Sequence, residues 1–301
     1  MRCLTGHELF LSRSLDVSLV PPNRRVWGVS ATNRKDQPYI GRVRSAALED
    51  FRTRHASLKL APTVAIIAAL NEQDSLGAVL DAIPATACGL EVDTLVIDDG
   101  STDGTSAVVR DREGVYLARL ERNCGHGVAL RLGYQLASEF AAQYVVTLDA
   151  DMQWDPVEIP TVLEPLVQDE ADFVIGSRVL GVAETDDRFR HAGVTVFARL
   201  VSLLTRTHVT DTSSGFRAMR VELTQIVPQV QVQYQTSELL IGAIYHGYRI
   251  AERPITMHKR LAGESKKGHN VLYAGRYARV ILTTWWREWN RARRAGRLAG
   301  D

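Results

Sequence analysis

A repeating pattern that opens at Pro62 constrains the fold more than any other feature of this chain. Val64-Ala-Ile-Ile-Ala-Ala-Leu70 is apolar at every position. So short a run, with no polar alternation, fits a strand buried on both faces, and such strands belong to parallel sheets covered by helices. Asn71 to Ile83 comes next, with Leu76, Val79, Leu80 and Ile83 at helical spacing. The alternation then continues. Leu95-Val96-Ile97 is a strand, Thr102 to Arg112 a helix, Val115 to Ala118 a strand, and Gly127 to Phe140 a helix leading into a strand that ends at Asp149. Phe173-Val174-Ile175 reads as a strand, 191–205 and Thr236 to Tyr245 as helices, and Tyr248 to Pro254 as extended chain. The pattern predicts an α/β fold: a mostly parallel central sheet flanked by helices, with right-handed crossovers.

Sheets of this kind bind ligands beyond the carboxyl ends of their strands, where this sequence places two acidic clusters. The first is Asp98-Asp99-Gly100-Ser101. The second is Asp149-Ala150-Asp151-Met152-Gln153. Residues i and i+2 of a strand share a face, so Asp149 and Asp151 can aim at one point. Two hard oxygen ligands suit a Mg²⁺ or Mn²⁺ that also grips a substrate diphosphate. An acidic loop capping the next helix would give the same triplet. Directly after it, Asp155-Pro156-Val157-Glu158 has the form of a helix start, with Asp155 as N-cap, Pro156 first in the helix and Glu158 as capping-box partner.

Charge is divided sharply along the chain. Residues 1–60 carry 11 Lys and Arg against 5 Asp and Glu, residues 61–257 carry 14 against 27, and residues 258–301 carry 11 against 3. Basic ends around an acidic centre suit polyanion contact at the ends and cation binding in the middle. Three scattered cysteines (Cys3, Cys88, Cys124) make neither a disulfide framework nor a zinc site and fit a reducing compartment. No secretory signal opens the chain and no run reaches the length of a membrane span, so a soluble or at most peripheral protein is expected.

Residues 1–61 read as an N-terminal extension in which Arg42 to Arg54 forms a short helix with Val43, Ala46, Ala47 and Phe51 on one side. The main domain runs over 62–270, and 271–301 is a basic amphipathic helix and tail. There Ala278, Ile281, Leu282, Trp285 and Trp289 form one stripe, with Arg279, Arg287, Arg291, Arg293, Arg294 and Arg297 opposite and beyond it. Such a helix lies in a membrane interface, packs on its own domain, or pairs with a second subunit. Asp186 to Arg190 is expected as a lid-like loop.

Several motifs in order carry a resemblance. Ala69-Leu70-Asn71-Glu72, Asp98 to Thr105 and Asp149 to Gln153 resemble family 2 glycosyltransferases of the GT-A fold. Gly176-Ser177-Arg178, Ser214-Gly215-Phe216-Arg217 and Arg260-Leu261-Ala262-Gly263-Glu264-Ser265-Lys266 resemble the polyprenyl-phosphate hexose synthases within that family. The resemblance covers about residues 62–286. It implies that Asn71, Glu72, Asp98 and Asp99 line the nucleotide pocket, one aspartate on the base and the other on the ribose. It implies that Asp149, Asp151 and Gln153 hold the metal (Mg²⁺ or Mn²⁺) and the diphosphate, and that Arg178 lies near the donor sugar or diphosphate. Arg260, Ser265 and Lys266 would hold an acceptor phosphate. The chain departs at Ala68-Ala69-Leu70 and at Gly125-His126-Gly127, where many relatives carry Gly-Lys-Gly; a protonated His126 can partly replace that lysine.

The implied activity is inverting transfer of a hexose from a nucleotide sugar, GDP-mannose or UDP-glucose, to a polyprenyl phosphate at the cytoplasmic face of the membrane. Asp151, Arg178 and Glu238 are the candidate catalytic residues. An anionic phosphate acceptor needs no general base, whereas an alcohol acceptor does. Glu238, in Gln235-Thr236-Ser237-Glu238, is the candidate base for that second reading, in which the acceptor is a soluble alcohol or specialised metabolite. It can instead salt-bridge an arginine or serve as a structural carboxylate. Arg217 is expected to brace the Asp211–Gly215 turn. A third reading is a non-catalytic nucleotide-sugar-binding subunit. No nucleic-acid partner is expected.

Overall fold

A computed structural model describes residues 37–184, 188–260 and 271–295. Its frame is an eight-stranded sheet. In chain order the strands are β1 (Thr63–Ala69), β2 (Thr86–Ala87), β3 (Leu90–Asp98), β4 (Val115–Arg119), β5 (Tyr144–Asp149), β6 (Phe173–Ala183), β7 (Arg217–Arg220) and β8 (Ile250–Met257). Across the sheet the order is β4, β3, β1, β5, β7, β6, β8, with β2 paired to the start of β3. The β4–β3–β1–β5 half is parallel, as is β6 with β8. Strand β7 runs antiparallel to both neighbours. No apolar run announces β7, whose Arg217-Ala-Met-Arg220 follows closely on the Asp211–Gly215 turn.

Alternate residues of the strands feed two cores. Val64, Ile66, Leu95 and Ile97 face α1 (Gln37–Arg54), α4 (His126–Glu139), α8 (Gln235–Tyr245) and α9 (Val271–Arg294). Ala65, Ile67, Val96 and Val146 face α2 (Leu76–Ala82) and α5 (Ile159–Val167). Period-two burial into both layers is what the unbroken apolar strands require. The remaining helices are α3 (Thr105–Val108), α6 (Arg188–Thr205) and α7 (Val221–Ile226).

Three expected helices differ in instructive ways. Helix α2 starts only at Leu76, because Asn71 adopts φ +53° and its side chain accepts the Thr102 amide at 2.8 Å. Gln73 likewise accepts the Gly104 amide at 2.7 Å. These side-chain bonds tie the β1 and β3 loops together, and they compete with helix formation in both. The expected Thr102–Arg112 helix shrinks accordingly to α3. In α1 the inner face is Val43, Ala47, Leu48 and Phe51, while Ala46 is exposed. Phe51 meets Phe140 edge-on with centroids 5.3 Å apart, and Arg52 pairs with Glu139 at 2.9 Å, so the segment from Gln37 packs on the body of the domain.

Asp155 caps a short 3₁₀ turn at Pro156–Glu158, its side chain accepting the Val157 amide at 3.0 Å. Glu158 is not a capping-box partner. Its carboxylate reaches across to β8 and accepts the Thr256 amide at 2.9 Å. Of the expected lid-like loop, Asp186 and Asp187 lie outside the described residues, and Arg188–Arg190 open α6 rather than forming loop. The buried stripe of α9 is Tyr277, Ile281, Thr284, Glu288 and Ala292; Leu282 points outward, 45 % exposed. The apolar stripe misjudged the rotation because buried Glu288 is neutralised by Arg287 at 2.6 Å and Arg291 at 3.0 Å.

Candidate functional site

The register of the parallel strands assembles the site. Ala69 of β1 pairs with Asp98 of β3, and Ala68 pairs with Asp149 of β5. The two acidic strand ends therefore flank the loop Leu70-Asn71-Glu72. Asp98 and Asp99 are buried, and all four of their oxygens accept protein hydrogens. Asp98 takes the Ser101 amide at 2.7 Å and the Ser106 hydroxyl. Asp99 takes the amides of Cys124 and Gly125 at 2.7 and 2.8 Å, fixing the entry to α4. Burial pushes Asp99 up to about 6, against those two amide bonds. The pair thus builds loops here, and base and ribose contacts would have to use lone pairs these bonds leave over.

Asp149 and Asp151 do come together. Asp151 is 3 % exposed, and burial, reinforced by the charge of Asp149, pushes its carboxyl up to about 6. Its Oδ2 lies 2.6 Å from Arg260, whose guanidinium also approaches Glu72 at 3.8 Å. Met152 sits at φ +59°, which curls the triplet so that Asp151 accepts the Gln153 amide at 3.1 Å. Gln153 is buried, and its carbonyl accepts the His258 amide at 2.8 Å, tying the triplet to the end of β8. Asp151 is buried beside a half-buried Asp149, whose charge raises the cost of ionising it, and such an arrangement favours a bound cation. Oxygen donors of this type suit Mg²⁺ or Mn²⁺, which keep waters and substrate phosphates as further ligands. Among the described residues no three His, Cys, Asp or Glu side chains converge on one point. The rest of the coordination shell would therefore come from Gln153, water and the diphosphate.

Arg178 is neither at a strand end nor a surface residue. Strand β6 runs on past it, and the side chain is 5 % exposed. Its guanidinium grips Asp211 through Nε at 2.6 Å and Nη2 at 3.1 Å, and bonds Ser213 at 2.7 Å. Burial alone would lower the Arg178 pKa, but the Asp211 carboxylate more than reverses that. Arg217, fully buried, donates to the carbonyls of Ser214 (2.8 Å), Thr212 (2.7 Å) and Thr236, bracing the Asp211–Gly215 turn as expected. Glu238 is fully buried. Oε2 accepts the amides of Val230 and Gln231 at 2.9 and 2.8 Å, and Oε1 accepts Arg287 at 2.8 Å. It holds a loop and α9, an environment that argues against a general base. Ser265 and Lys266 lie outside the described residues.

Three participants were not singled out from the sequence. Trp154 donates its indole N–H to Asp149 at 3.0 Å. Gly215 backs the same carboxylate so closely that a Cβ there would lie 3.0 Å from it. Asp211 is the counter-charge that makes Arg178 structural. Gly215 and Asp211 entered the sequence reading only as parts of a motif and a turn, and Trp154, directly after the triplet, did not enter it. His126 lines a crevice of about 10 Å³ with Asp149, Thr147, Gly215 and Gln235, room for about one water.

Known proteins resemble this chain in sequence and in fold. The family model described as glycosyl transferase family 2 matches residues 64–226. A dolichyl-phosphate hexose transferase of Haloferax volcanii is 36 % identical over 67 % of this chain and 84 % of its own length. An undecaprenyl-phosphate mannosyltransferase of Micrococcus luteus is 30 % identical over 73 % of this chain and 92 % of its own. Among solved structures, glucosyl-3-phosphoglycerate synthase from Mycobacterium tuberculosis, in complex with Mn²⁺, UDP and phosphoglyceric acid, superposes with a TM-score of 0.57. Its sequence identity is 20 %, over 80 % of this chain and 82 % of that one. The match over more than half of the chain, together with the paired aspartates at the end of β5, makes this protein a member of glycosyl transferase family 2 with the GT-A fold.

Proposed function

We propose that this enzyme transfers a hexose from a nucleotide sugar to a polyprenyl phosphate at the cytoplasmic face of a membrane. The contact between Arg260 and Asp151 carries the reading. It brings the residue assigned to the acceptor phosphate to 2.6 Å from the residue assigned to the donor diphosphate. The names of the relatives from Haloferax and Micrococcus agree with such an acceptor. In the reaction, an oxygen lone pair of the acceptor phosphate forms the bond to the anomeric carbon as the bond from that carbon to the diphosphate breaks. The electron pair leaves with the nucleoside diphosphate, from the face opposite the attack, so the configuration inverts. The acceptor is already anionic, and no proton has to move. A Mg²⁺ or Mn²⁺ held by Asp149, Asp151 and Gln153 would stabilise the charge on the leaving diphosphate. Arg260 would hold the incoming phosphate with its planar donor fork, Glu72 would sit beside it, and Asn71 with the Asp98–Asp99 loop would form the floor of the nucleotide site.

No helix among the described residues is long and apolar enough to cross a membrane. The outer side of α9 supports peripheral contact instead. Trp286 is 57 % exposed and stacks on Trp289 at 5.5 Å, Leu282 is also exposed, and Arg276, Arg279, Arg293 and Arg294 lie exposed along the same helix. Apolar and aromatic groups beside arginines suit an anionic lipid interface. The soluble-alcohol reading is weakened by Glu238, whose oxygens are committed to the protein. Transfer of radiolabelled sugar into butanol-extractable lipid tests the proposal. Activity confined to water-soluble acceptors refutes it, and unchanged turnover in D151A refutes a metal-centred enzyme.

A further inference from the structure

A row of interactions runs from the β6–β7 connection to the carboxylate of Asp149, and the transfer chemistry itself does not use it. Asp211 fixes Arg178 by two bonds, and the Arg178 guanidinium lies over the Trp154 ring, 5.3 Å from its centroid. Phe216 packs on the ring at 6.5 Å, and the Trp154 backbone bridges to Met257 of β8. With 3 % exposure the indole is immobilised on several sides. Its one polar atom, Nε1, can only donate, and it donates to Asp149 Oδ2 at 3.0 Å. Gly215 closes the carboxylate from another side, at a distance that leaves little room for a side chain.

We propose that Trp154 is the positioning residue for Asp149: its indole N–H fixes the rotation of the carboxylate that would hold the divalent cation, and the Arg178–Asp211 pair holds the indole in place. Ligating carboxylates are held by such outer partners, and losing one typically weakens metal binding 10–100-fold. The inference rests on the metal and diphosphate reading of Asp149. It assigns Arg178 a task two contacts removed from Asp149, in place of direct contact with the diphosphate.

W154F keeps an aromatic side chain but deletes the donor with the ring that bears it, at some cost in stability because the site is buried. With Mn²⁺ as probe and electron paramagnetic resonance reporting free Mn²⁺, W154F, shown by circular dichroism to be folded under the assay conditions, should bind the metal about 10–100-fold more weakly than wild type. Wild-type Mn²⁺ affinity in W154F overturns the proposal. D149N separates the two readings. If D149N retains wild-type affinity, the metal site itself is wrongly placed; if D149N loses Mn²⁺ and W154F keeps it, only the role of Trp154 fails. Should W154F not fold, the ¹H–¹⁵N indole signal of Trp154 decides, assigned by replacing the other four tryptophans one at a time. Loss of the charged acceptor in D149N must shift that signal, and an unmoved signal overturns the proposal.

Discussion

Asp211→Asn exposes the strongest electrostatic commitment near the site. Asp211 is fully buried, and its two oxygens receive Arg178 at 2.6 and 3.1 Å together with the amides of Ser213 and Ser214 at 3.1 and 3.0 Å. Asparagine preserves the volume but removes the charge, and it turns an NH₂ toward groups that are themselves donors. Arg178, 5 % exposed, is then left as a buried cation without its counter-ion. Breaking a buried pair from one side costs about 3–5 kcal/mol, out of a total stability of roughly 5–15 kcal/mol. The melting temperature should fall by on the order of 10 °C.

Urea unfolding of wild type, D211N, R178M and the double variant measures this directly. The double variant should recover much of the loss, because an apolar replacement of a whole buried pair is often neutral. The sign with pH comes from Asp211, whose carboxyl is raised by burial but held below its ordinary value by the charge and hydrogen bonds of Arg178. Its stabilisation is fully present above the unfolded carboxylate value of about 3.9 and is lost as pH falls through the lower folded value. The D211N deficit should therefore be largest near neutrality and shrink in strong acid. A deficit under about 1 kcal/mol, or one independent of pH, would show that Asp211 does not neutralise Arg178 in the folded protein.

Other perturbations probe the remaining assignments. E238Q removes one of the two carboxylates paired with Arg287 and weakens the hold on two amides, so it should cost about 1–3 kcal/mol in urea while leaving the shape of the kcat–pH profile intact; loss of one limb of that profile would restore Glu238 as a base. Burial holds Asp99 at about 6 in the folded state, so its contribution to stability is present below about pH 3.9 and lost as pH rises through 6. The penalty of D99N should then shrink between pH 4 and pH 7, and a penalty constant across that range contradicts the assignment. L282E/W286E should abolish co-sedimentation with anionic phospholipid vesicles without moving the melting temperature. If it instead converts a dimer to a monomer in lipid-free sedimentation velocity, that face binds a second copy of the chain.

Strand positions were legible because full burial on both faces leaves an apolar run, unbroken in Val64–Leu70 and interrupted only by Thr147 in Val145–Leu148, and the acidic strand ends located the site. What the sequence hid were choices between competing hydrogen bonds. Nothing in Asn71 or Gln73 announces that their side chains will bond the Thr102–Gly104 backbone, yet that decides where α2 begins. Arg178 and Glu238 looked available for chemistry because charge alone does not reveal a partner 33 or 49 residues away. Strand β7 was missed because Arg217 and Arg220 break its apolar pattern, although Arg217 is buried by donating to three carbonyls.

The matched family region ends at Ile226, but the site depends on helices beyond that point. Tyr277, on the inner side of α9, places its hydroxyl 3.1 Å from the Thr212 hydroxyl and against that of Ser237. Thr212 adjoins Asp211, so α9 buttresses the turn that fixes Arg178 and, through the Trp154 ring, Asp149. Farther along, Arg287 ties the same helix to Glu238 in α8. The outer side of α9 bears Leu282 and Trp286. One rigid element therefore meets the surrounding medium on one side and braces the carboxylate site on the other. A force that tilts α9, such as its outer side entering a lipid interface, must act on the Asp211 turn, because Tyr277 is buried between them and packed interiors transmit displacement rather than absorb it.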